Sequence, residues 1–212
     1  VLASVRHIPY EDKRLHEGLW MGSSGFALKG RTLGIVGLGR NGKRVAGFGL
    51  AFGMKVVAWS QNLTAEAAAA VGVTRVERDE LFRISDVICI HLVLSERTTG
   101  IVGVREFSLM QPHAHLINTS RGPIVDEAAL IDALKNRRIG GAAQDVFDQE
   151  PLPADHPLRK LDNIVLTPHL GYSIVEPMTD FYKDTAEALE AYVNGKPVRI
   201  LNPEALKNRR IR

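Results

Sequence analysis

Three glycines at fixed spacing, Gly37, Gly39 and Gly42, constrain the fold of this 212-residue chain more than any other feature. They form the pattern Gly-x-Gly-x-x-Gly within LGIVGLGRNG, between an apolar run and a stretch of helical character. In such a turn the first glycine permits a sharp bend, the second lets a pyrophosphate approach the backbone, and the third lets the helix pack closely on the strand. The helix then offers unpaired N–H groups and a positive dipole end to the phosphates. The alternative is a strand-to-helix turn that is rich in glycine and binds nothing.

Short apolar runs alternate with helical patterns along the rest of the chain. Strands buried on both faces are continuous apolar runs, and their alternation with helices predicts parallel crossovers. The pattern therefore predicts an α/β fold with a doubly wound parallel sheet of Rossmann type. The predicted strands are Leu33–Gly37, Lys55–Trp59, Asp86–Leu92, His115–Ser120, Gly141–Phe147 and Asn163–Pro168. The predicted helices lie near 42–53, 64–71, 77–83, 103–110, 126–137 and 173–194.

The composition is that of an ordinary folded protein, with 45% apolar and 24% charged residues. Acidic and basic residues are interleaved, and the only basic cluster is the tail Lys207–Arg212, which we interpret as a solvated terminus. We therefore expect no nucleic-acid partner, although the formal net charge is +3. No apolar run approaches the ~18 residues of a membrane span, and we expect neither a signal peptide nor a membrane partner. The single Cys89 lies in an apolar run, which predicts a core side chain and suits a cytoplasmic location.

The end of the second predicted strand bears on which dinucleotide would bind. NAD-binding turns of this kind are paired with an acidic residue roughly 20 positions downstream, which holds the ribose 2′-hydroxyl. No acidic residue lies between positions 38 and 64, and the strand is followed by Ser60 and Gln61. Hydroxyl and amide groups can hydrogen-bond a 2′-phosphate, which a carboxylate would repel. Arg40, together with a basic residue at position 43 or 44, supplies positive charge for the phosphate. We therefore favour NADP over NAD. NAD stays an alternative, because position 61 is not an arginine.

Three further motifs stand at later strand ends, namely INTSRGPIVDE (117–127), QDVFDQEP (144–151) and IVLTPHLG (164–171). Following the glycine turn in this order, they resemble the cofactor domain of the D-2-hydroxyacid dehydrogenase family. That family includes glyoxylate/hydroxypyruvate reductases, D-lactate dehydrogenases and phosphoglycerate dehydrogenases. The resemblance covers nearly the whole chain. It implies hydride transfer between NAD(P) and a small 2-oxo or 2-hydroxy acid, with glyoxylate or hydroxypyruvate as the expected substrate.

The resemblance also implies which residues form the site. Arg121 matches the family's substrate-binding arginine, Glu150 its catalytic acidic partner and His169 its catalytic histidine. The expected cofactor-binding residues are Gly37, Gly39, Arg40, Asn41, Gly42, Ser60, Gln61, His91, Thr119, Ser120 and Asp145. Asn41 departs from the aliphatic residue usual in the family, and its amide either alters the packing of the turn or reaches the phosphate.

Elementary chemistry supports the three catalytic assignments. Ligands of a doubly wound sheet bind at the carboxyl ends of its strands, so Arg121, Glu150 and His169 can converge despite their distance along the chain. A guanidinium matches a carboxylate with two hydrogen bonds, and an imidazole can give a proton to a carbonyl oxygen as hydride arrives. A neighbouring carboxylate orients the imidazole.

Other polar residues are interpreted as structural. We expect no metal site, because His113 and His115 have no further His, Cys or Asp ligands nearby at zinc-binding spacing. Asp126 stands just before a helical run, which predicts an N-cap.

Family members carry a substrate domain ahead of the cofactor domain, and we expect most of it to be absent from this chain. The expected division is a linking helix and dimerisation arm over 1–30, a dinucleotide-binding domain over 31–172, and a return helix and tail over 173–212. The resemblance implies a homodimer in which the arm, with Leu19, Trp20 and Phe26, contacts the partner. A cleft with one wall excludes water poorly, so we expect cofactor binding with weak or no turnover. A catalytically weak or inactive dinucleotide-binding module is therefore the alternative to an active reductase.

Overall fold

A computed structural model describes residues 1–204 as two compact units, one over 1–169 and one that begins at Leu170. The first unit contains a seven-stranded sheet in which every pairing between strands is parallel. Its strands are β1 (Thr32–Val36), β2 (Lys55–Trp59), β3 (Thr74–Arg75), β4 (Val87–Ile90), β5 (His115–Asn118), β6 (Gly141–Gln144) and β7 (Ile164–Leu166). The spatial order is β3-β2-β1-β4-β5-β6-β7, which reverses direction between β1 and β4. The predicted doubly wound parallel sheet is confirmed, and the reversal marks where ligands bind in such folds.

Two helices of the first unit precede β1, and the others connect its strands. The helices are α1 (Leu2–Val5), α2 (Ile8–His16), α3 (Arg40–Ala51), α4 (Ala65–Ala69), α5 (Arg78–Ile84), α6 (Val104–Leu109) and α7 (Glu127–Lys135). Short 3-10 turns cover Gly122–Ile124 and Pro157–Lys160. Asp126 caps α7 as predicted, because its carboxylate accepts a hydrogen bond of 3.0 Å from the Ala129 N–H. In the second unit, a 3-10 turn over Leu170–Tyr172 precedes α8 (Val175–Val193).

The core explains why the strands are continuous apolar runs. Along β4, Val87 and Cys89 belong to one apolar cluster, whereas Ile88 and Ile90 belong to another. Successive side chains of a strand point to opposite faces, so both faces of this sheet are covered. Cys89 is only 2% exposed, which confirms it as a core side chain.

The structure differs from the predicted elements in a few places. Strand β3 was not predicted, because its two residues are both exposed and make no apolar run. Strand β6 ends at Gln144, three residues before the predicted end, although Phe147 beyond it is buried in the core. No helix in the described part of the chain is long and apolar enough to cross a membrane. The basic tail over 207–212 lies outside the described residues.

Candidate functional site

The glycine turn joins β1 to α3 and lies at the point where the strand order reverses. Gly37 has a φ of +103°, and a Cβ added there would lie 2.7 Å from the carbonyl carbon and oxygen of His91. Backbone conformation and close approach therefore both require glycine at this position. A Cβ on Gly42 would collide with the carbonyl oxygen of Gly37, so the third glycine lets α3 approach the strand closely.

The second glycine is open rather than crowded. A Cβ on Gly39 would meet no heavy atom within 4 Å, and its φ of −79° does not demand glycine. Gly39 is the N-cap of α3, and no side chain within the described residues caps this end. The first N–H groups of a helix lack intrahelical partners, and here no side chain satisfies them from the N-cap position. These features fit a bound dinucleotide pyrophosphate, with Arg40 and Asn41 exposed in the first turn of the helix.

The end of β2 holds the turn in place. The Ser60 hydroxyl accepts a hydrogen bond of 2.9 Å from the Leu38 N–H, so this predicted cofactor residue fixes the glycine turn. Gln61 is exposed, and its Oε1 atom accepts a hydrogen bond from the guanidinium of Arg97 at 3.4 Å. Arg97 belongs to the loop after β4. Its position beside Gln61 was not predicted, because no local pattern links residues 36 positions apart.

The remaining predicted cofactor residues lie at the carboxyl ends of β4, β5 and β6. The Nε2 atom of His91 is buried without a hydrogen-bond partner in the described structure, and burial lowers the pKa of its imidazole. The Ser120 hydroxyl donates to the carbonyl oxygen of Leu92, while Thr119 is exposed beside it. Asp145 is buried and accepts a hydrogen bond from the Thr167 hydroxyl.

Asn118, the last residue of β5, organises the turn that carries Arg121. It is fully buried. Its Oδ1 atom accepts from the Ser120 N–H, and its Nδ2 atom donates to the Arg121 carbonyl oxygen, each at 3.0 Å. The sequence analysis did not assign Asn118 a role. Its signal was present, however, because an amide side chain directly follows the apolar residues Leu116 and Ile117 at the end of a predicted strand.

Glu150 and His169 form the chemical centre of the site. The Oε2 atom of Glu150 lies 2.7 Å from Nδ1 of His169, and Oε1 accepts a hydrogen bond of 2.9 Å from the Phe147 N–H. The hydrogen bond from His169, the one from Phe147 and the charge of Arg121 together hold the pKa of Glu150 below its usual range. An ionised carboxylate only accepts hydrogen bonds, so Nδ1 of His169 carries the hydrogen between them.

Arg121 is exposed at the end of β5, and its Nη1 atom donates to the Ser120 carbonyl oxygen at 2.6 Å. Its charge contributes to the lowered pKa of the Glu150 carboxyl, and the three predicted catalytic side chains all lie beyond the carboxyl ends of β5, β6 and β7. Glu150 and His169 also line a largely apolar cavity of about 550 Å³, a size suited to a small ligand.

The match to known proteins follows this geometry. The model of the D-isomer specific 2-hydroxyacid dehydrogenase NAD binding domain matches residues 1–171. The chain belongs to this family. A D-3-phosphoglycerate dehydrogenase of Synechocystis sp. is 40% identical over 201 residues, which cover 94% of this chain and 36% of the relative. A glyoxylate reductase of Aeropyrum pernix is 38% identical over 219 residues, which cover 99% of this chain and 65% of the relative. The chain thus spans less than two thirds of either 2-hydroxyacid dehydrogenase.

Solved structures of the family agree with the fold. An oxidoreductase of Ralstonia solanacearum, described as a D-3-phosphoglycerate dehydrogenase, has a TM-score of 0.90 at 37% identity, over 97% of this chain and 64% of its own. A D-lactate dehydrogenase of Aquifex aeolicus complexed with NAD and lactic acid has a TM-score of 0.79 at 30% identity, over 92% and 64%. An acyclic imino acid reductase in complex with NADPH and D-Arg has a TM-score of 0.77 at 31% identity, over 95% and 64%. Structures similar to this 2-hydroxyacid dehydrogenase domain therefore hold either dinucleotide.

Proposed function

We propose that this chain binds a nicotinamide dinucleotide and reduces a small 2-oxo acid, with glyoxylate or hydroxypyruvate as the substrate. The observation that carries the proposal is the 2.7 Å contact between Glu150 and His169, formed where Arg121 adds its charge. The dinucleotide, when bound, supplies the hydride. Its pyrophosphate would lie over Gly39 at the uncapped start of α3.

The chain's own groups have separate tasks in this proposal. Arg121 binds the carboxylate of the acid through its planar guanidinium. Glu150 is fixed by the Phe147 N–H and in turn holds Nδ1 of His169, which orients the ring. Proton delivery to the substrate's carbonyl oxygen is assigned to Nε2, the second ring nitrogen. The mostly apolar cavity beside the pair offers space for a small acid, while the side chains of Glu150 and His169 stay partly exposed to solvent.

The proposed cofactor preference is NADP. It is supported by the absence of any carboxylate between positions 38 and 64 and by the exposed bases Arg40, Lys43 and Arg44 on α3. A carboxylate at the end of β2 would bind the 2′-hydroxyl of NAD and repel the additional phosphate.

The assay compares His169→Gln with His113→Gln. His113 also contacts a carboxylate at 2.7 Å, that of Asp86, but these residues precede β5 and β4 and so lie at the amino ends of the strands, away from the candidate site. Oxidation of NADPH and NADH is followed with glyoxylate, hydroxypyruvate and pyruvate, and cofactor affinity is measured by calorimetry. Removing a general acid costs roughly 10²–10⁴-fold in rate. We expect that loss in His169→Gln alone, with cofactor affinity unchanged in both variants.

The outcomes separate two functions. Equal turnover in wild type and His169→Gln would contradict the proposed mechanism. Tight dinucleotide binding without oxidation by any of the three acids would support the alternative, a dinucleotide-binding module. Absence of dinucleotide binding would contradict both the reductase and the binding module.

We also propose a homodimer, a cytoplasmic location, and the division into an arm (1–30), a cofactor domain (31–172) and a return segment (173–212). The dimer is supported by the exposure of Trp20 and Met21, which are 81% and 74% accessible on the arm. Phe26 packs on its own chain instead, with its ring centroid 5.7 Å from that of His115. Light scattering tests the dimer, and a monomeric mass would contradict it.

A further inference from the structure

The end of β2 lacks the charged residue that would decide between the two dinucleotides. Ser60 is engaged with the Leu38 N–H, and the next side chain, Gln61, is a neutral amide. A neutral amide can donate a hydrogen bond to a phosphate oxygen, but it has no positive charge with which to bind the phosphate strongly. Discrimination by charge must therefore come from another element that reaches this end of the sheet.

Arg97 is the residue that reaches it. It stands in the loop between β4 and α6, and its Nη1 atom donates to Oε1 of Gln61 at 3.4 Å. The two side chains are both exposed, so the guanidinium lies beside the end of β2 with donors open to the outside. Within the described residues Arg97 forms no ion pair. Two other arginines near this edge are neutralised, since Arg75 pairs with Glu77 and Arg78 with Glu106.

The loop holds Arg97 in a defined position. The Thr98 hydroxyl accepts from the Ser95 N–H at 2.8 Å and donates to the Val93 carbonyl oxygen at 2.7 Å. The Thr99 hydroxyl donates to the Ser95 carbonyl oxygen at 2.9 Å, and the Gly100 N–H donates to the Pro123 carbonyl oxygen at 2.8 Å. A side chain on a loop already ordered in this way loses little backbone freedom when a ligand binds.

We propose that Arg97 binds the 2′-phosphate of NADP, supplying from the β4–α6 loop the charge that the end of β2 lacks. The inference rests on the proposed dinucleotide binding. Gln61 orients the guanidinium and leaves its remaining N–H groups for phosphate oxygens, which guanidinium groups bind in pairs. Because Glu96 precedes Arg97, the loop over 91–100 has no net charge apart from its histidine. The contribution of this loop to selectivity therefore depends on the position of one guanidinium, which acts in addition to the bases on α3.

The test measures binding, with no turnover required. Dissociation constants for NADPH, NADH, 2′,5′-ADP and 5′-AMP are determined by calorimetry for wild type, Arg97→Gln, Arg97→Lys and Lys135→Gln. Lys135→Gln is the matched control, because it removes one exposed positive charge at the end of α7, away from β2. We expect Arg97→Gln to weaken NADPH and 2′,5′-ADP roughly tenfold, as for the loss of one charged hydrogen bond, while NADH and 5′-AMP change less than about twofold.

NADH serves as the internal control for folding, since a misfolded variant would lose both cofactors. Arg97→Lys should recover part of the NADPH affinity, because it keeps the charge without the planar fork. The assignment of Arg97 would be overturned if Arg97→Gln left the ratio of NADPH to NADH affinity unchanged, or if Lys135→Gln changed that ratio equally. It would also be overturned if the wild-type chain preferred NADH. In each of these cases the proposed dinucleotide binding would still hold. A wild-type chain that binds neither cofactor would instead overturn the proposed function, and this assignment with it.

Discussion

We expect His115 to make the fold sensitive to acid. It is the first residue of β5 and 3% exposed, with Nδ1 lying 2.7 Å from the Ser4 hydroxyl and the Phe26 ring against its own. Burial, assisted by the charges of His7 and His113, lowers the pKa of its imidazole from 6.5 to about 4. The ring is therefore neutral in the folded protein at pH values where it is charged in the unfolded chain.

The sign and size of the effect follow from proton linkage. Between pH 6.5 and about 4 the unfolded chain binds the His115 proton and the folded chain does not, so stability falls as the pH falls through this window. A pKa difference of this size corresponds to about 3 kcal/mol in total, of which about 2.5 kcal/mol is lost by pH 4.5. That is a large part of the roughly 5–15 kcal/mol that stabilises a typical domain.

The assay is urea unfolding of wild type and His115→Asn at pH 7.0 and pH 4.5. Titrations shared by the two proteins cancel, so the variant should lose about 2.5 kcal/mol less than wild type on acidification. Equal losses, within the ~10–15% uncertainty of extrapolation to water, would refute the reasoning. If His115→Asn fails to fold, the imidazole resonances of the wild-type protein decide instead, since a His115 ring that titrates near pH 6.5 contradicts the buried neutral state.

Further predictions concern the glycine turn, the core and a helix cap. Gly37→Ala should abolish dinucleotide binding in calorimetry, because its Cβ would lie 2.7 Å from the carbonyl group of His91 at a φ of +103°. Gly47→Ala, in the exposed middle of α3 with no heavy atom within 4 Å, should keep binding and raise stability by about 0.5–1 kcal/mol, and a loss of binding there would contradict the steric argument. Burial raises the pKa of the Cys89 thiol to about 12, so the native protein should not react with a thiol reagent at pH 8 until denaturant unfolds it, and rapid native labelling would show that the core opens. Asp126→Ala should cost about 1 kcal/mol of unfolding free energy in urea titration through the lost cap of α7, and an unchanged midpoint would show that the cap contributes nothing.

The sheet was predictable because its signal is local. A strand covered on both faces is mostly apolar, and Leu33, Ile88 and Leu116 all stand in short apolar runs. Strand β3 gave no such signal, because Thr74 and Arg75 are exposed at the sheet edge and pair only through their backbone with β2. Edge pairing of two polar residues is decided by the neighbouring strand, which local periodicity does not describe.

The residues of the candidate site could be proposed from the sequence, but the contacts between them could not. The motifs around Glu150 and His169 identify both side chains, and parallel topology brings strand ends to one edge. The role of the Phe147 N–H in fixing Glu150 depends on how the chain turns after β6. Likewise, Arg97 follows β4 and Gln61 follows β2, so their contact depends on the order of the strands in the folded sheet.

Asn118 shows which polar residues a sequence can reveal at such a site. A fully buried amide must satisfy its hydrogen bonds inside the protein, because an unmatched buried group costs about 1–3 kcal/mol. Its side chain therefore fixes the turn that carries Ser120 and Arg121, while its carbonyl oxygen accepts from the Asp145 N–H and aligns the end of β6. A buried amide that is hydrogen-bonded within the protein is thus a stronger indication of a fixed turn than the exposed arginine that it positions, since exposed arginines are common and fully buried amides are not.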